Sequence, residues 1–118
     1  MRYPILSPEE AAALISHGET LGMSGFTAAG SAKAVPLALA QRAVAEHAAG
    51  REFKVNVITG ASTQSAVDEA LAQAEAVNLR MPYQSCATAR AAINSGQIAY
   101  VDTHLSTMAQ ALRLGHLP

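Results

Sequence analysis

The feature that most constrains this chain is a repeated alternation. Short β-prone runs give way to turns of glycine, serine and threonine, and then to alanine-rich helical stretches. Phe53 to Thr59 is the clearest strand, with Val55, Val57 and Ile58 at its centre. Thr20-Leu21-Gly22-Met23-Ser24 reads as a short buried strand, Val77 to Arg80 as a weaker one stopped by Pro82, and Ile98 to Thr103 as the next. Between parallel strands the chain must cross back over the sheet, and a helix is the usual way to do so. The alternation therefore predicts an α/β fold: an open, mostly parallel sheet flanked by helices, in one domain over residues 1–118.

Helix signals fall where this fold needs them. Ser7 caps the first helix, Pro8 suits its first position, and Glu10 completes a capping box. The helix is expected to continue through Ser16 and to close at Gly18. The second helix spans about Lys33 to His47 and ends at Gly50. Val35, Leu37, Leu39 and Val44 lie there among alanines that allow close packing on a sheet, and Pro36 requires the first turn. Further helices are expected over Gln64 to Ala74, over Cys86 to Asn94 before Gly96, and over Ser106 to Leu114 before Gly115. The chain stops at Gly115-His116-Leu117-Pro118, where such a fold would continue with another strand; the expectation is a truncated domain.

Composition narrows the function classes. Half the residues are hydrophobic and 14% are charged, a globular balance. Net charge is −1, so no basic surface is available for nucleic acid. The one cysteine, Cys86, cannot form an intrachain disulfide, which fits a reducing compartment. No apolar run approaches the roughly 20 residues of a membrane span, and the N-terminus lacks the apolar core of a secretory signal. A soluble, cytoplasmic protein is expected.

In a parallel sheet, ligands bind at the carboxyl ends of the strands, and three loops lie there. In the first, Ser24 to Ser31, Gly25 and Gly30 would let the backbone approach a ligand. This G-x-x-x-x-G lacks the Lys-Ser/Thr ending of a P-loop, and Lys33 is displaced. The second is Thr59-Gly60-Ala61-Ser62-Thr63. It can hold a carboxylate or thioester oxygen with amides and hydroxyls, although helix capping by Ser62 or Thr63 needs the same residues. A nucleophilic Ser62 would need glycine at 64, which is Gln64. In the third loop, Pro82-Tyr83-Gln84-Ser85, Ser85 could cap the next helix. Cys86 would then sit in the first turn, where a thiol pKa falls, unless it is simply buried. His17, His47, His104 and His116 lack zinc spacing, and no metal site is expected. Asp102 and His104 could pair along a strand face. The nine acids are read as lying mostly on helix surfaces and none falls in the candidate loops, so no carboxylate nucleophile is placed there.

These loops carry a resemblance. Met23-Ser24-Gly25-Phe26-Thr27, then Ala29-Gly30 and Lys33-Ala34-Val35-Pro36, resembles the S-G-F-T-x-x-G-x-x-K-x-V-P stretch of acetyl-CoA hydrolase/transferases. Thr59 to Thr63 is similar to that family's T-G-A-S-T loop, and Pro82 to Ser85 to its P-Y-Q-S or P-F-N-T turn. Ile93-Asn94-Ser95-Gly96 and Asp102, His104-Leu105-Ser106 match its I-N-x-G and D-x-H-L-S positions, in the same order. Two departures stand out: Ser31-Ala32 replaces an aromatic–proline pair, and Gln64-Ser65 replaces Gly-Pro.

The resemblance implies the N-terminal half-module of a CoA-transferase. Such enzymes move CoA between an acyl-CoA (acetyl-, succinyl- or propionyl-CoA) and a carboxylate, or hydrolyse the thioester. A glutamate nucleophile comes from a C-terminal domain outside this chain, so no catalytic residue is assigned within it. The implied substrate-facing set is Ser62 and Ser85, with Gly60, Ala61 and Thr63 of their loop and Gly25, Phe26 and Gly30 of the first. Coenzyme A enters as a substrate, with no resident cofactor. The expected partners are acyl-CoA, a small carboxylate, the C-terminal domain and further copies of the chain, because an open sheet edge favours association. The alternatives are a non-catalytic α/β module that binds a small anion or CoA, and a fragment that binds no ligand.

Overall fold

The computed structural model describes residues 2–114 of the 118. In order, the elements are α1 (Pro8–Ala13), β1 (Thr20–Met23), α2 (Ala34–Ala48), β2 (Val55–Thr59), α3 (Asp68–Gln73), β3 (Val77–Met81), α4 (Ala87–Asn94), β4 (Ala99–Tyr100) and α5 (Leu105–Leu114). The four strands pair in the order β1-β2-β3-β4, all parallel. The α/β class and the open parallel sheet are as expected. Gly115, His116, Leu117 and Pro118 lie outside the described residues.

Local signals set the helix starts. The capping box at Ser7 is present: Glu10 N–H donates to Ser7 Oγ at 3.1 Å and Ser7 N–H to Glu10 Oε1 at 3.0 Å. Those bonds lower the Glu10 pKa, since they favour its carboxylate form. The helix ends at Ala13, short of the expected Ser16. Gly18 does adopt φ +87°, but in a later turn that brings its N–H to Lys54 O at 2.8 Å. In α2, Pro36 falls in the first turn, where its missing N–H costs no helical bond. Gly50 closes α2 at φ +79°: its N–H donates to His47 O at 3.0 Å, and Arg51 N–H to Glu46 O at 2.9 Å.

Several boundaries differ from expectation. β1 is an edge strand whose residues alternate between exposed and half-buried, so it is not a buried strand. α3 starts at Asp68 rather than Gln64, because Gln64 has φ +55° and cannot join a right-handed helix. β4 is only Ala99–Tyr100, which leaves Asp102 and His104 in the connection to α5.

Helices α1 to α4 pack on one face of the sheet. Their contact is made through Ala12, Leu39, Ala43, Leu71 and Ala92 against Val55, Val57 and Val77. The alanines of α2 face inward, whereas Leu37 and Val44 are 52% and 56% exposed. Alternation turns Ile58 to the other face, where it meets Met81, Met108 of α5 and Val101. Asn56 is bonded there to Thr20 on one side and to Asn78 on the other, each at 3.1 Å.

One irregularity matters for the site. Val55 pairs with Val77, but the next residue, Asn56, pairs with Leu79, so β3 carries an extra residue, Asn78. This bulge re-phases the strand. Arg80 then pairs with Val57 and enters the helix-covered face, beneath the loop that follows β2.

Candidate functional site

The carboxyl ends of β1, β2 and β3 deliver the three candidate loops to one end of the sheet. The first two are bonded to each other. Ala61 N–H donates to Gly25 O at 2.9 Å, and Thr27 N–H to Ser62 O at 2.8 Å. Gly25 is required by this contact: a Cβ there would lie 2.5 Å from Thr63 Cγ2 and 3.0 Å from Thr59 Cβ. The close approach expected of Gly25 toward a ligand is therefore an approach to the neighbouring loop. Gly30 serves the turn itself, since a Cβ would sit 2.9 Å from Phe26 O. Gly60 has no such constraint; its nearest neighbour would be Gly25 O at 3.8 Å. Ser31 is buried and donates to Thr27 O at 2.6 Å, so it holds the first loop where the family has an aromatic residue. Lys33 bonds back to Ser31 O at 3.0 Å.

Ser62 joins the second loop to the third. Its Oγ accepts Ser85 N–H at 3.1 Å and Gln64 N–H at 3.3 Å. A hydroxyl oxygen has two lone pairs, and both are engaged. The 2.9 Å contact between Ser62 Oγ and Ser85 Oγ must then use the Ser62 proton. Ser85, the more exposed of the two, keeps its own proton free to donate. Neither serine caps a helix: α3 has Val67 as N-cap and α4 has Cys86, both without a side-chain bond.

The two hydroxyls open on a cleft of about 430 Å³, which Phe26, Thr27 and Ala61 also line. Phe26 is 64% exposed. Gln64, Tyr83, Thr103, His104 and Leu105 complete the wall, and among the described residues no carboxylate contributes to it. Sequence reasoning placed His104 against Asp102, and they make no hydrogen bond among the described residues. Burial, with the nearby Asp102 carboxylate adding to it, raises the pKa of the Tyr100 hydroxyl. Thr27 and Gln64 hold φ +56° and +55°, so strained backbone flanks the cleft on two sides. A smaller cavity of about 120 Å³, between Lys54, Glu75, Val77 and Ile98, lies at the opposite end of the strands.

Behind the cleft the polarity is hidden. Thr63 is fully buried, and its hydroxyl donates to Asp68 rather than facing outward. Asp68 is itself buried, an exception among acids expected mostly on helix surfaces, and it pairs with Arg80 Nε at 2.6 Å. Cys86 is buried too. Loss of hydration raises its thiol pKa, with the nearby Glu69 carboxylate adding to the effect; of the two readings of Cys86, the buried thiol holds. Gln84 is buried, donates to Pro82 O at 3.2 Å, and leaves its Oε1 without a partner among the described residues.

The parallel sheet with helices, and a hydroxyl-lined cleft at the carboxyl ends of its strands, define an open α/β domain. The family can be stated as well. The chain belongs to the acetyl-CoA hydrolase/transferase family, whose N-terminal domain model matches residues 2–118. It is 43% identical over 110 residues to the propanoyl-CoA:succinate CoA transferase of Escherichia coli (strain K12), covering 93% of this chain and 22% of that protein. It is 39% identical over 114 residues to the succinyl-CoA:acetate CoA-transferase of Clostridium kluyveri, covering 97% and 21%. Against the acetyl-CoA hydrolase of Saccharomyces cerevisiae it is 35% identical over 102 residues, covering 86% and 19%. The chain thus spans about a fifth of the length of the curated relatives it matches. Among the described residues, no helix is long and apolar enough to cross a membrane, and no group of three or more His, Cys, Asp or Glu is placed to hold a metal ion.

Proposed function

We propose that this chain is the N-terminal segment of an enzyme that moves CoA between an acyl-CoA and a small carboxylate, or hydrolyses the thioester. Acetyl-, succinyl- and propionyl-CoA are the donors in view, and CoA is a substrate rather than a resident cofactor. The observation that carries this reading is the Ser62–Ser85 hydroxyl pair at the strand ends. Ser62 fixes the direction of the pair, and Ser85 donates into the cleft. Such a donor suits a carboxylate or a thioester oxygen: both accept hydrogen bonds, and the thioester oxygen gains negative charge when its carbonyl is attacked. Ala61 supplies adjoining backbone, with Gly60 preceding it in the loop, and Phe26 an apolar wall for an acyl chain.

Among the described residues no carboxylate lines the cleft. The reaction's glutamate nucleophile is assigned to the C-terminal domain that the family resemblance implies. The working protein is soluble, cytoplasmic and oligomeric in this reading. Edge strand β1 and the exposed Leu105, Leu112 and Leu114 of α5 offer surfaces for the remaining domain or for further copies.

The test is a chimera in which this chain replaces the matching stretch of the Escherichia coli transferase. Transfer of CoA from propanoyl-CoA to succinate is expected, and the isolated chain should give none. Steady turnover by the repurified isolated chain would overturn the division of labour. A folded chimera with no activity would overturn the substrate assignment.

A further inference from the structure

Arg80 and Asp68 take no part in the cleft, yet they form an ion pair inside the protein, 1% and 3% exposed. Arg80 Nε donates to Asp68 Oδ1 at 2.6 Å, and Nη2 to Asp68 Oδ2 at 3.2 Å and to Thr59 Oγ1 at 2.9 Å. Nη1 donates to Met81 O. From this pair two lines of bonds run to the Ser62 loop. Thr59 Oγ1 passes its proton to Ala61 O at 2.6 Å, and Thr63 Oγ1 donates to Asp68 Oδ2. Ser62 is thus gripped through the residue before it and the residue after it.

Stability alone does not explain such a pair. Two charges lose their hydration on burial, and apolar residues of similar volume fold as well or better. Apolar residues cannot make directed bonds to a carbonyl and a hydroxyl on either side of one serine.

We propose that Arg80 and Asp68 are positioning residues for Ser62: acting through Thr59 and Thr63, they set the loop so that Ser62 aims its proton at Ser85. The consequence for substrate rests on the carboxylate reading of the cleft; the consequence for loop geometry does not.

The test uses the full chain and two variants. Asp68→Leu/Arg80→Met removes both charges together and is expected to keep the melting temperature near that of the parent. Thr59→Val keeps the ion pair and cuts one link. In ¹H–¹⁵N spectra, the amides of Ala61, Ser62, Gln64 and Ser85 should shift in both variants, while those of Ala11 in α1 and Glu46 in α2 stay in place. Where the parent's cleft amides titrate with sodium succinate, the dissociation constant should rise about tenfold in the variants, the worth of one hydrogen bond to a charged group. Unmoved loop amides in a folded double variant would overturn the proposal. If the double variant does not fold, Thr59→Val decides in the same way. A parent that does not respond to succinate sinks the carboxylate reading and leaves the comparison of ligand-free spectra to judge the positioning role.

Discussion

Ser62 and Thr63 are neighbours with the same functional group, yet they serve opposite sides of one loop. Ser62 faces the cleft, where its hydroxyl meets Ser85 and two backbone N–H groups. Thr63 faces the core, where its hydroxyl meets a buried carboxylate. The cleft side leaves a donor unspent and strained backbone at its rim. The core side pairs the Arg80 and Asp68 charges and packs Thr63 against Gly25. A rigid inner side lets the outer side keep a reactive arrangement that would otherwise relax. Removing one charge of the inner pair should therefore show first in stability, and removing the free donor of the outer side in turnover alone.

The largest effect should come from breaking the inner side by half. Asp68→Leu or Arg80→Met alone strands a buried charge, at a cost of about 3–5 kcal/mol. That is a large share of the roughly 5–15 kcal/mol that holds a domain folded. Urea unfolding reads it; a loss under about 1 kcal/mol would mean that water reaches the remaining charge, and the comparison would fail.

Gly25→Ala comes next, at about 1–3 kcal/mol for forcing a methyl group into packed space. Because the tightest contact is with Thr63 Cγ2, Thr63→Ser in the same background should recover part of the loss. No recovery would place the strain on Thr59 instead.

The outer side should respond differently. In the chimera, Ser85→Ala should lower turnover about three- to tenfold, the value of one neutral hydrogen bond, without changing the unfolding midpoint. Ser62→Ala should lower both turnover and stability, since it also deprives two N–H groups of their acceptor. Equal stability for the two variants would remove the directional reading of the pair.

The smallest effect is a gain. Gln64 occupies left-handed backbone at φ +55°, where the family pattern has glycine. Gln64→Gly should stabilise the chain by a few tenths to about 1 kcal/mol, as relief of the left-handed cost outweighs glycine's extra chain entropy. Thermal unfolding would show it, and a lower melting temperature would mean that the Gln64 side chain holds the rim.

Much of the scaffold was legible in the sequence because its signals are local. The capping box at Ser7, Pro36 in a first turn, Gly50 at a helix end and the Val55–Ile58 strand each depend on residues a few positions apart. The candidate serines were found by resemblance, not by residue chemistry, which favoured the capping that the structure lacks. Arg80 and Asp68 left no readable sign. An acid at a helix start ordinarily answers the helix dipole from the surface, and an arginine near the end of a strand ordinarily reaches solvent.

What the sequence determined by itself was the order of elements and their parallel arrangement, since periodicity and turn chemistry act within a few residues. The tertiary structure alone decided which way each polar side chain faces. Strict alternation from Val77 would turn Arg80 to the opposite face of the sheet, but the extra residue at Asn78 re-phases β3 and sends it inward. That inward turn is tolerable because Asp68, Thr59 and backbone carbonyls, brought together by folding, satisfy every group it buries. A buried charge is stable only beside its partner, and the partner's place is a property of the fold.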